Sequence, residues 1–355
     1  MTQNQSPPTP TGGEYFRKHI LTLTPYSSAR DEYAGTEGVF LDANENPYSS
    51  ADGQAWNRYP DPHQTAIKHK LAPIEGVRPT QIFLGNGSDE PIDLLIRAAC
   101  EPQTDSILIM PPTYGMYQVS ADVNNVPVIK VPLTPDFEID TPAVLAAIEP
   151  NTKIVWICSP NNPSGNLLNR ESIITILENF GGLVVVDEAY IDFAHAKSFL
   201  SELDNHPNLV VLQTFSKAWG MAGLRLGMCF ASEKIIAVLS KIKSPYNLSA
   251  PTQQLLFDML DHEEGKNKMV AQTLIERENL REELGKLSIV QKIYPSDTSM
   301  LLVCFDDAEA VMKHLIDQKI IVRDRSKIKL CEGCLRISVG TKSENMSLIA
   351  ALKQY

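Results

Sequence analysis

Between residues 80 and 245 the chain alternates short apolar runs with segments whose apolar positions recur at helical spacing. The runs are nearly continuous and rich in β-branched residues, which is typical of strands covered on both faces. The intervening segments favour helices, as where Ile92, Leu95 and Ile96 share one helical face. This alternation predicts an α/β fold with a mostly parallel central sheet. The predicted strands are residues 81–84, 106–110, 153–159, 182–190, 209–215 and 224–230.

The turn-rich stretch SPYNLSAP (244–251) interrupts this alternation, and a long helical pattern and shorter strands follow it. We therefore expect a large domain at residues 46–247 and a smaller α+β domain at residues 248–355. Residues 1–45 are too irregular and polar to stand alone. We expect them to form an arm that packs on the small domain or on a partner subunit, with the first twelve residues disordered.

The charge balance narrows the classes of partner. The 355 residues include 43 Asp and Glu against 32 Lys and Arg, a net charge of −11. An acidic surface repels nucleic-acid backbones and anionic membranes, so we expect neither as a partner. No apolar run approaches the roughly 18 residues of a membrane span, and the N-terminus has no apolar signal core.

The six cysteines point to a reducing compartment. Most of them lie inside apolar runs, where cysteine acts as a small hydrophobic residue. Cys331 and Cys334 form a CxxC pair with no second half of a zinc site nearby, so we expect two free thiols in a loop and no metal. A cytoplasmic protein is therefore predicted.

Polar, Gly- and Pro-rich segments follow five of the apolar runs, and ligands of open α/β sheets bind beyond the carboxyl ends of the strands. These segments are GNGSDE (85–90), PPTYG (111–115), PNNPSG (160–165), DEAY (187–190) and Ser216–Lys217. GNGSDE lacks the third glycine of a dinucleotide-binding motif, so a nicotinamide enzyme is disfavoured. The backbone amides of Gly87, Ser88 and Asp89 at a helix start predict an anion cradle instead.

Asp187 and Lys217 are the candidate chemical groups. Asp187 ends an apolar run, and a buried carboxylate there requires a cation or donor, which a protonated heteroaromatic nitrogen would supply. Lys217 follows the next run with Arg225 close behind. Desolvation and this second cation would lower the pKa of the Lys217 amine and favour a Schiff base. Together these parts predict a site for a phosphorylated pyridine aldehyde.

Eleven stretches of the sequence, taken in order, resemble those of class II, fold-type I pyridoxal-phosphate-dependent aminotransferases, and within them the histidinol-phosphate aminotransferase family. They are TPYSSAR (24–30), LDANENPY (41–48), NRYPDP (57–62), LGNGSDEPID (84–93), PPTYGMY (111–117), SPNNPSG (159–165), VVVDEAYIDF (184–193), TFSKAWGMAGLRLG (214–227), SPYN (244–247), IIVRDRS (320–326) and LRISVG (335–340). At residues 295–300 the chain reads PSDTSM where relatives usually have Ser-x-Ala-Asn-Phe, so no substrate contact is assigned there.

The resemblance implies roles around the ring of pyridoxal 5′-phosphate. Lys217 would carry the cofactor as a Schiff base and later move the substrate proton. Asp187 would bind the pyridinium nitrogen, while Tyr190 and Asn162 would hydrogen-bond the phenolic oxygen. Tyr114 would stack on the ring. The implied catalytic residues are therefore Lys217, Asp187 and Tyr190.

The resemblance also implies contacts to two anionic groups. The cofactor phosphate would be held by Gly87, Ser88, Asp89, Thr214, Ser216 and Arg225. Tyr59 would reach the cofactor phosphate of a neighbouring subunit, which implies a homodimer. The substrate would contact Tyr26, Asn44, Glu45, Arg323 and Arg336.

The implied activity is ping-pong transamination between L-histidinol phosphate and 2-oxoglutarate, which yields imidazole-acetol phosphate and L-glutamate, in L-histidine biosynthesis. Two alternatives keep the fold: an aromatic or broad-range aminotransferase, and a lyase resembling threonine-phosphate decarboxylases. Comparing turnover of histidinol phosphate and phenylalanine separates the first alternative. Release of carbon dioxide without amino transfer would select the second. A non-enzymatic cofactor-binding regulator is disfavoured by the acidic charge and the lack of a DNA-binding segment.

Overall fold

The structure is a computed structural model that describes residues 15–28, 30 and 37–355. Its helices are α1 Lys18–Thr22, α2 Thr65–Glu75, α3 Asp89–Ala99, α4 Met116–Val123, α5 Thr141–Ala147, α6 Arg170–Asn179, α7 Glu233–Ile242, α8 Ala250–Met259, α9 Glu263–Gly285, α10 Ala308–Asp317 and α11 Lys342–Leu352. Its strands are β1 Ile82–Asn86, β2 Ser106–Ile109, β3 Val128–Lys130, β4 Thr152–Cys158, β5 Leu183–Asp187, β6 Leu209–Thr214, β7 Leu226–Ala231, β8 Val290–Ile293, β9 Met300–Phe305, β10 Arg323–Asp324 and β11 Cys334–Ser338. Short 3₁₀ turns occupy Pro79–Gln81, Ile191–Phe193, Phe199–Glu202, Ala222–Leu224 and Leu260–His262.

The larger sheet has seven strands in the order β1-β7-β6-β5-β4-β2-β3. Strand β7 runs antiparallel to β1 and β6, and the other neighbouring pairs are parallel. Val184 and Val186 of β5 pack into one apolar cluster, whereas Leu183 and Val185 pack into another. Both faces of the strand are therefore covered, which explains its continuous apolar sequence. The predicted α/β fold with a mostly parallel central sheet is confirmed.

Capping side chains place several helix starts. The Asn169 side chain accepts a hydrogen bond from the Ser172 amide at 3.0 Å and so caps the start of α6. Helix α5 begins at the Thr141–Pro142 pair, and Asp140 caps it by accepting from the Ala143 amide at 3.1 Å. These caps fix where each helix leaves the sheet and hence the direction of the loops that carry the polar strand ends.

The smaller sheet has four strands in the order β10-β11-β9-β8, all antiparallel. Apolar side chains of α9, α10 and α11 form one cluster with β9 and β11. Cys334 lies in β11 opposite Cys304 of β9, and the two form a disulfide, while Cys331 is a buried free cysteine. The expectation of two free thiols in a loop is therefore wrong for Cys334, because its strand register places it against a third cysteine.

The described part of the N-terminal segment packs on the larger sheet. Tyr15 and Phe16 belong to the apolar cluster that includes residues of α3 and α7. The Arg17 amide donates to the Ala98 carbonyl at 2.9 Å, and the Lys241 amine donates to the Leu21 carbonyl at 2.9 Å. This stretch therefore packs on helices of the predicted large domain, whereas we had expected the arm to pack on the small domain or on a partner subunit.

The expected disorder of the first twelve residues falls outside the described residues, and the domain boundaries stay predictions. None of the helices in the described ranges combines the length and apolar character needed to cross a membrane.

Candidate active site

A pocket of about 690 Å³ opens where the ends of β4, β5 and β6 face the turn between β10 and β11. It brings together most of the residues singled out from the sequence. Those that line it are Ser88, Asp89, Tyr114, Asn162, Asp187, Tyr190, Thr214, Ser216, Lys217, Arg225, Arg323 and Arg336. In the described part of the chain, no group of three or more His, Cys, Asp or Glu side chains is arranged to hold a metal ion.

Asp187 forms the buried floor of the pocket at the end of β5. One carboxylate oxygen accepts from the Tyr117 hydroxyl at 2.6 Å, and the other accepts from the Ala189 amide at 3.1 Å. Burial raises the pKa of Asp187, and these two hydrogen bonds offset only part of that rise. A protonated ring nitrogen facing this carboxylate would stabilise its charged form, so the floor fits a pyridinium group.

Tyr117 is a functional candidate that sequence reasoning missed. Its ring is fully buried and stacks on Trp156 with ring centroids 4.9 Å apart. This packing holds the hydroxyl against the Asp187 carboxylate. The signal was present in the matched stretch PPTYGMY, where Tyr117 lies three residues after Tyr114, but the pairing with Asp187 depends on the distance between α4 and β5.

Lys217 projects into the pocket just beyond β6, with its ammonium 5.7 Å from the centroid of the Tyr190 ring. The side chain is reached by solvent through the pocket mouth. The surrounding walls nevertheless lower the pKa of the amine, first by desolvation and then through the positive charge of Arg336. Arg225 also lowers the pKa of this amine, as expected from the sequence, but by less than Arg336. The lowered pKa favours the neutral amine, the form that attacks carbonyl carbon and accepts protons.

A hydrogen-bonded chain links the two halves of the pocket. Arg336 donates to the Asn162 side-chain oxygen at 2.7 Å, and the Asn162 amide group donates to the Tyr190 hydroxyl at 3.4 Å. Burial raises the pKa of Tyr190, and the charge of Arg336 opposes that rise. The Tyr190 hydroxyl therefore keeps its proton and can donate a hydrogen bond to an oxygen bound in the pocket.

Glycines allow two backbone segments, residues 87–88 and 225–227, to meet at the start of α3. A Cβ at Gly227 would lie 2.3 Å from the backbone of Gly87 and Ser88. Gly87 has a φ of +75°, and a Cβ there would lie 2.8 Å from the Arg225 guanidinium. Ser88 caps α3 without a side-chain hydrogen bond to the helix. The first amides of α3 and the Arg225 side chain thus converge on one spot that fits a phosphate group.

Hydrogen bonds connect the side chains around the proposed phosphate position. Asp89 accepts from the Tyr114 hydroxyl at 3.1 Å and from Arg225 at 3.4 Å. Thr214 donates to the Leu226 carbonyl at 3.2 Å and accepts from the Ser216 amide at 3.1 Å. Tyr114 and Arg225 are therefore oriented by one carboxylate.

Five of the predicted contact residues do not line the pocket: Gly87, which directly precedes the Ser88 cap of α3, and Tyr26, Asn44, Glu45 and Tyr59. Tyr26 is 74% exposed. Tyr59 stacks on Tyr246 with centroids 4.4 Å apart and is 49% exposed. Their contacts with substrate, or with the cofactor of a neighbouring subunit, stay predictions.

Glu45 is engaged within its own segment. Its carboxylate accepts from Arg58 at 2.6 Å, from the Tyr59 amide at 2.7 Å and from Arg30 at 3.1 Å. Burial opposes ionisation of Glu45, but the hydrogen bonds from Arg58 and Tyr59 and the two arginine charges keep its pKa below the ordinary value. Glu45 therefore fixes the position of the segment that carries Tyr59.

Comparison with known proteins gives consistent results. Residues 32–352 match the family model described as aminotransferase class I and II. A histidinol-phosphate aminotransferase of Cytophaga hutchinsonii is 56% identical over 340 residues, covering 96% of this chain and 98% of that protein. A second, from Parabacteroides distasonis, is 52% identical over 340 residues, covering 96% and 97%. The crystal structure of the histidinol-phosphate aminotransferase from Clostridium acetobutylicum has a TM-score of 0.78 at 24% identity, covering 84% of this chain and 90% of that chain, and so shares its fold.

Proposed function

Because this chain belongs to the class I and II aminotransferases, and within them to the histidinol-phosphate aminotransferase family, we propose that it transfers the amino group between L-histidinol phosphate and 2-oxoglutarate in L-histidine biosynthesis. The observation that carries the proposal is the single pocket in which the Lys217 amine lies between the buried Asp187 carboxylate and a cationic wall containing Arg323 and Arg336. An amine, a buried acid and an anion-binding wall are the parts that transamination of an anionic amino compound requires.

The cofactor is pyridoxal 5′-phosphate, which supplies an electron sink that makes the Cα–H of a bound amino compound acidic. Asp187 would hold the ring nitrogen in its protonated form, and Tyr114 would cover the ring. Tyr190 and Asn162 would donate hydrogen bonds to the phenolic oxygen. The phosphate would be held by Gly87, Ser88, Asp89, Thr214, Ser216 and Arg225, with the α3 amides favouring its negative charge.

Lys217 would be the proton carrier. Its amine would take the proton from the substrate Cα and return it to the C4′ position of the cofactor, a general acid–base step. The lowered pKa of this amine supports the role, because the Lys217 amine becomes neutral at a lower pH than the amine of an ordinary lysine.

One pocket must accept a phosphate ester and a γ-carboxylate at different times. Arg323 and Arg336 suit this alternation, because a guanidinium fork meets either anion with paired hydrogen bonds. The keto product of the first half-reaction leaves before the amino acceptor of the second half-reaction binds. Ping-pong kinetics are therefore expected.

We propose that the protein is a homodimer, in which Tyr59 would reach the cofactor phosphate of the partner subunit. Residues 37–59 expose apolar and aromatic side chains, including Val39 at 89%, Leu41 at 86% and Tyr48 at 78%. Exposed apolar patches of this kind mark protein interfaces, and Tyr59 lies in the same segment. Sedimentation analysis would give twice the mass of the 39.3 kDa chain; a monomer with full activity would exclude a required partner contribution. The cytoplasm is the proposed location, since the relatives are named for a biosynthetic step.

The visible absorption spectrum tests the function. We expect a yellow protein whose absorption near the cofactor band bleaches on addition of L-histidinol phosphate and recovers with 2-oxoglutarate. Bleaching by phenylalanine with equal efficiency would favour a broad-range aminotransferase. Release of carbon dioxide without recovery by 2-oxoglutarate would favour a lyase.

A further inference from the structure

We propose that Arg325 contributes a third guanidinium to the substrate site, beside those of Arg323 and Arg336. We further propose that Arg325 selects the dianionic phosphate ester over the γ-carboxylate. This inference deepens the proposed function and rests on it for the identity of the two amino donors. Arg325 was missed from the sequence because nothing in the spacing of IIVRDRS distinguishes it from a surface arginine.

The register of the β10–β11 pair brings the three arginines to one face. Arg323 lies directly opposite Arg336, and the Arg325 amide continues the ladder by donating to the Cys334 carbonyl at 3.1 Å. Because side chains alternate between the faces of a strand, Arg323 and Arg325 share a face. All three arginines line the same pocket as Lys217.

The acid between them does not neutralise this face. Asp324 lies at the intervening position, and its carboxylate accepts from the Ser326 amide at 2.7 Å. Within the described residues, none of the three arginines makes a salt bridge of 4.0 Å or less. The buried Nε of Arg325 has no hydrogen-bond partner there. Desolvation and the neighbouring charges of Arg336 and Arg323 lower the pKa of Arg325, as expected of a cation held among like charges.

The pocket as a whole carries a surplus of positive charge. Its lining includes five cationic side chains, Lys217, Arg225, Arg323, Arg325 and Arg336, against the two carboxylates of Asp89 and Asp187. Arg225 is paired with Asp89 at 3.4 Å at the cofactor-phosphate end. The unpaired surplus therefore lies on the hairpin wall, in a protein whose net charge is −11.

The two donors differ in how many guanidinium groups they can satisfy. L-glutamate divides its two negative charges between an α- and a γ-carboxylate, so its γ-carboxylate presents only two oxygens and a single charge, for which two arginine forks are enough. A phosphate ester has three terminal oxygens and a charge of about −1.5 to −2 at neutral pH, with its second ionisation near pH 6. A third guanidinium is therefore compensated by the phosphate ester but remains in excess beside a carboxylate.

The test compares the two half-reactions of the holoenzyme in Arg325→Gln. We expect kcat/KM for L-histidinol phosphate to fall at least about tenfold, as for a desolvated charge contact that is lost, while the value for L-glutamate stays within about threefold. Lys327→Gln is the matched control, because it removes a positive charge from the same turn at an exposed position outside the pocket lining. Equal losses for both donors, or no loss for either, would overturn the inference.

Two further readouts separate charge selection from a structural effect. The KM of the wild type for the phosphorylated donor should fall as pH rises through about 6, the second ionisation of the ester, and this dependence should flatten in Arg325→Gln. Arg325→Lys, which keeps the charge without the fork, should retain the pH dependence. Loss of the dependence in both variants, or in neither, would contradict the inference.

Inorganic phosphate provides a probe that does not require the named substrate. As a competitive inhibitor of the L-glutamate half-reaction in the holoenzyme, it should bind about tenfold more weakly to Arg325→Gln than to the wild type or Lys327→Gln. An unchanged inhibition constant would overturn the role of Arg325. Wild-type protein that uses L-glutamate but not L-histidinol phosphate would refute the proposed function, and the phosphate measurement would still decide the role of Arg325.

Discussion

At the α3 end of the pocket, backbone amides and one arginine paired with Asp89 surround the proposed phosphate position, whereas at the hairpin end three arginines line the wall and, among the described residues, none of them forms a salt bridge. The first arrangement is neutral overall, because Arg225 is paired with Asp89, and it is closely packed, because Gly87 and Gly227 leave no room for a Cβ. It suits a cofactor that stays bound. The second carries excess charge, which suits substrates that bring their own negative charge and leave after each half-reaction. We call the α3 end, with Ser88, Asp89 and Arg225, the permanent end. We call the hairpin end, with Arg323, Arg325 and Arg336, the exchangeable end.

Lys217 lies between the two ends, so its replacement should affect both. We expect Lys217→Ala to lower transamination of either amino donor by roughly 10³-fold or more, because the group that moves the Cα proton is lost. The rates of the two half-reactions, measured separately by stopped-flow absorption, check this. Retention of one half-reaction at more than a tenth of the wild-type rate would mean that another base serves it.

Loss of Arg336 should weaken the exchangeable end most. We expect Arg336→Ala to weaken both substrates by about 2–5 kcal/mol, as for a desolvated charged contact that loses one member, and to weaken cofactor binding less, through the lost hydrogen bond to Asn162. Steady-state kinetics with each donor and a cofactor titration measure the two effects. Unchanged kinetics with both substrates would remove Arg336 from the pocket.

Arg336 also sets the charge environment of Lys217. Its positive charge lowers the pKa of the Lys217 amine, so Arg336→Gln should raise that pKa and move the pH profile of the proton-transfer step to higher pH. Arg336→Lys keeps the charge and should leave the profile where it is. A shift of equal size in both variants would assign the effect to packing.

A single added methyl group at Gly227 should disrupt the phosphate-binding backbone of the permanent end. In Gly227→Ala the new Cβ would lie 2.3 Å from the backbone of Gly87 and Ser88, so the cradle must open. Overpacking of this kind costs about 1–3 kcal/mol, and we expect it as weaker binding of pyridoxal 5′-phosphate. Gly223→Ala is the matched control, since a Cβ at Gly223 meets nothing within 4 Å. Equal cofactor affinities in the two variants would contradict the proposed cradle.

The smallest expected effect on the rate of transamination concerns Asp187, which forms the floor of the pocket. Tyr117→Phe removes one hydrogen bond to the Asp187 carboxylate, worth about 1.5 kcal/mol, and should slow transamination roughly tenfold. Because that hydrogen bond lowers the pKa of Asp187, its loss raises the pKa further. Asp187 then becomes protonated more readily as pH falls, so the defect should grow toward low pH. The pH profile of kcat checks this, and a defect independent of pH would refute it.

Trp156→Phe separates the hydrogen bond from the packing. The indole nitrogen of Trp156 has no hydrogen-bond partner in the described part of the chain, so the substitution loses no hydrogen bond and changes only packing, both in the ring stack beneath Tyr117 and in the apolar cluster around it. A pH-dependent defect of the same size in this variant would assign the effect of Tyr117→Phe to packing.

The permanent end, the floor of the pocket and the position of Lys217 were accessible from the sequence because all three lie at strand ends. Continuous apolar runs predicted the strands, and the residues that follow them, such as Ser88, Asp187 and Lys217, necessarily meet at one edge of a parallel sheet. The family resemblance added the roles of Tyr114 and Asn162. The structure places all five of these residues in one pocket.

The exchangeable end was less accessible because it depends on cross-strand register. Arg323 and Arg336 were expected from the resemblance, but Arg325 joins them only because β10 and β11 pair with Arg323 opposite Arg336. The same register places Cys334 against Cys304, which no CxxC pattern predicts. Tyr117 was missed for a related reason, since its contact with Asp187 joins residues 70 apart in the chain.

The central claim is that Lys217 is the amine that holds pyridoxal 5′-phosphate at the junction of these two ends. Borohydride reduction of cofactor-saturated protein, followed by digestion and mass determination of the peptides, tests it. The account predicts the added pyridoxyl mass on the peptide that contains Lys217. The same mass on a different lysine, or on none, would contradict it.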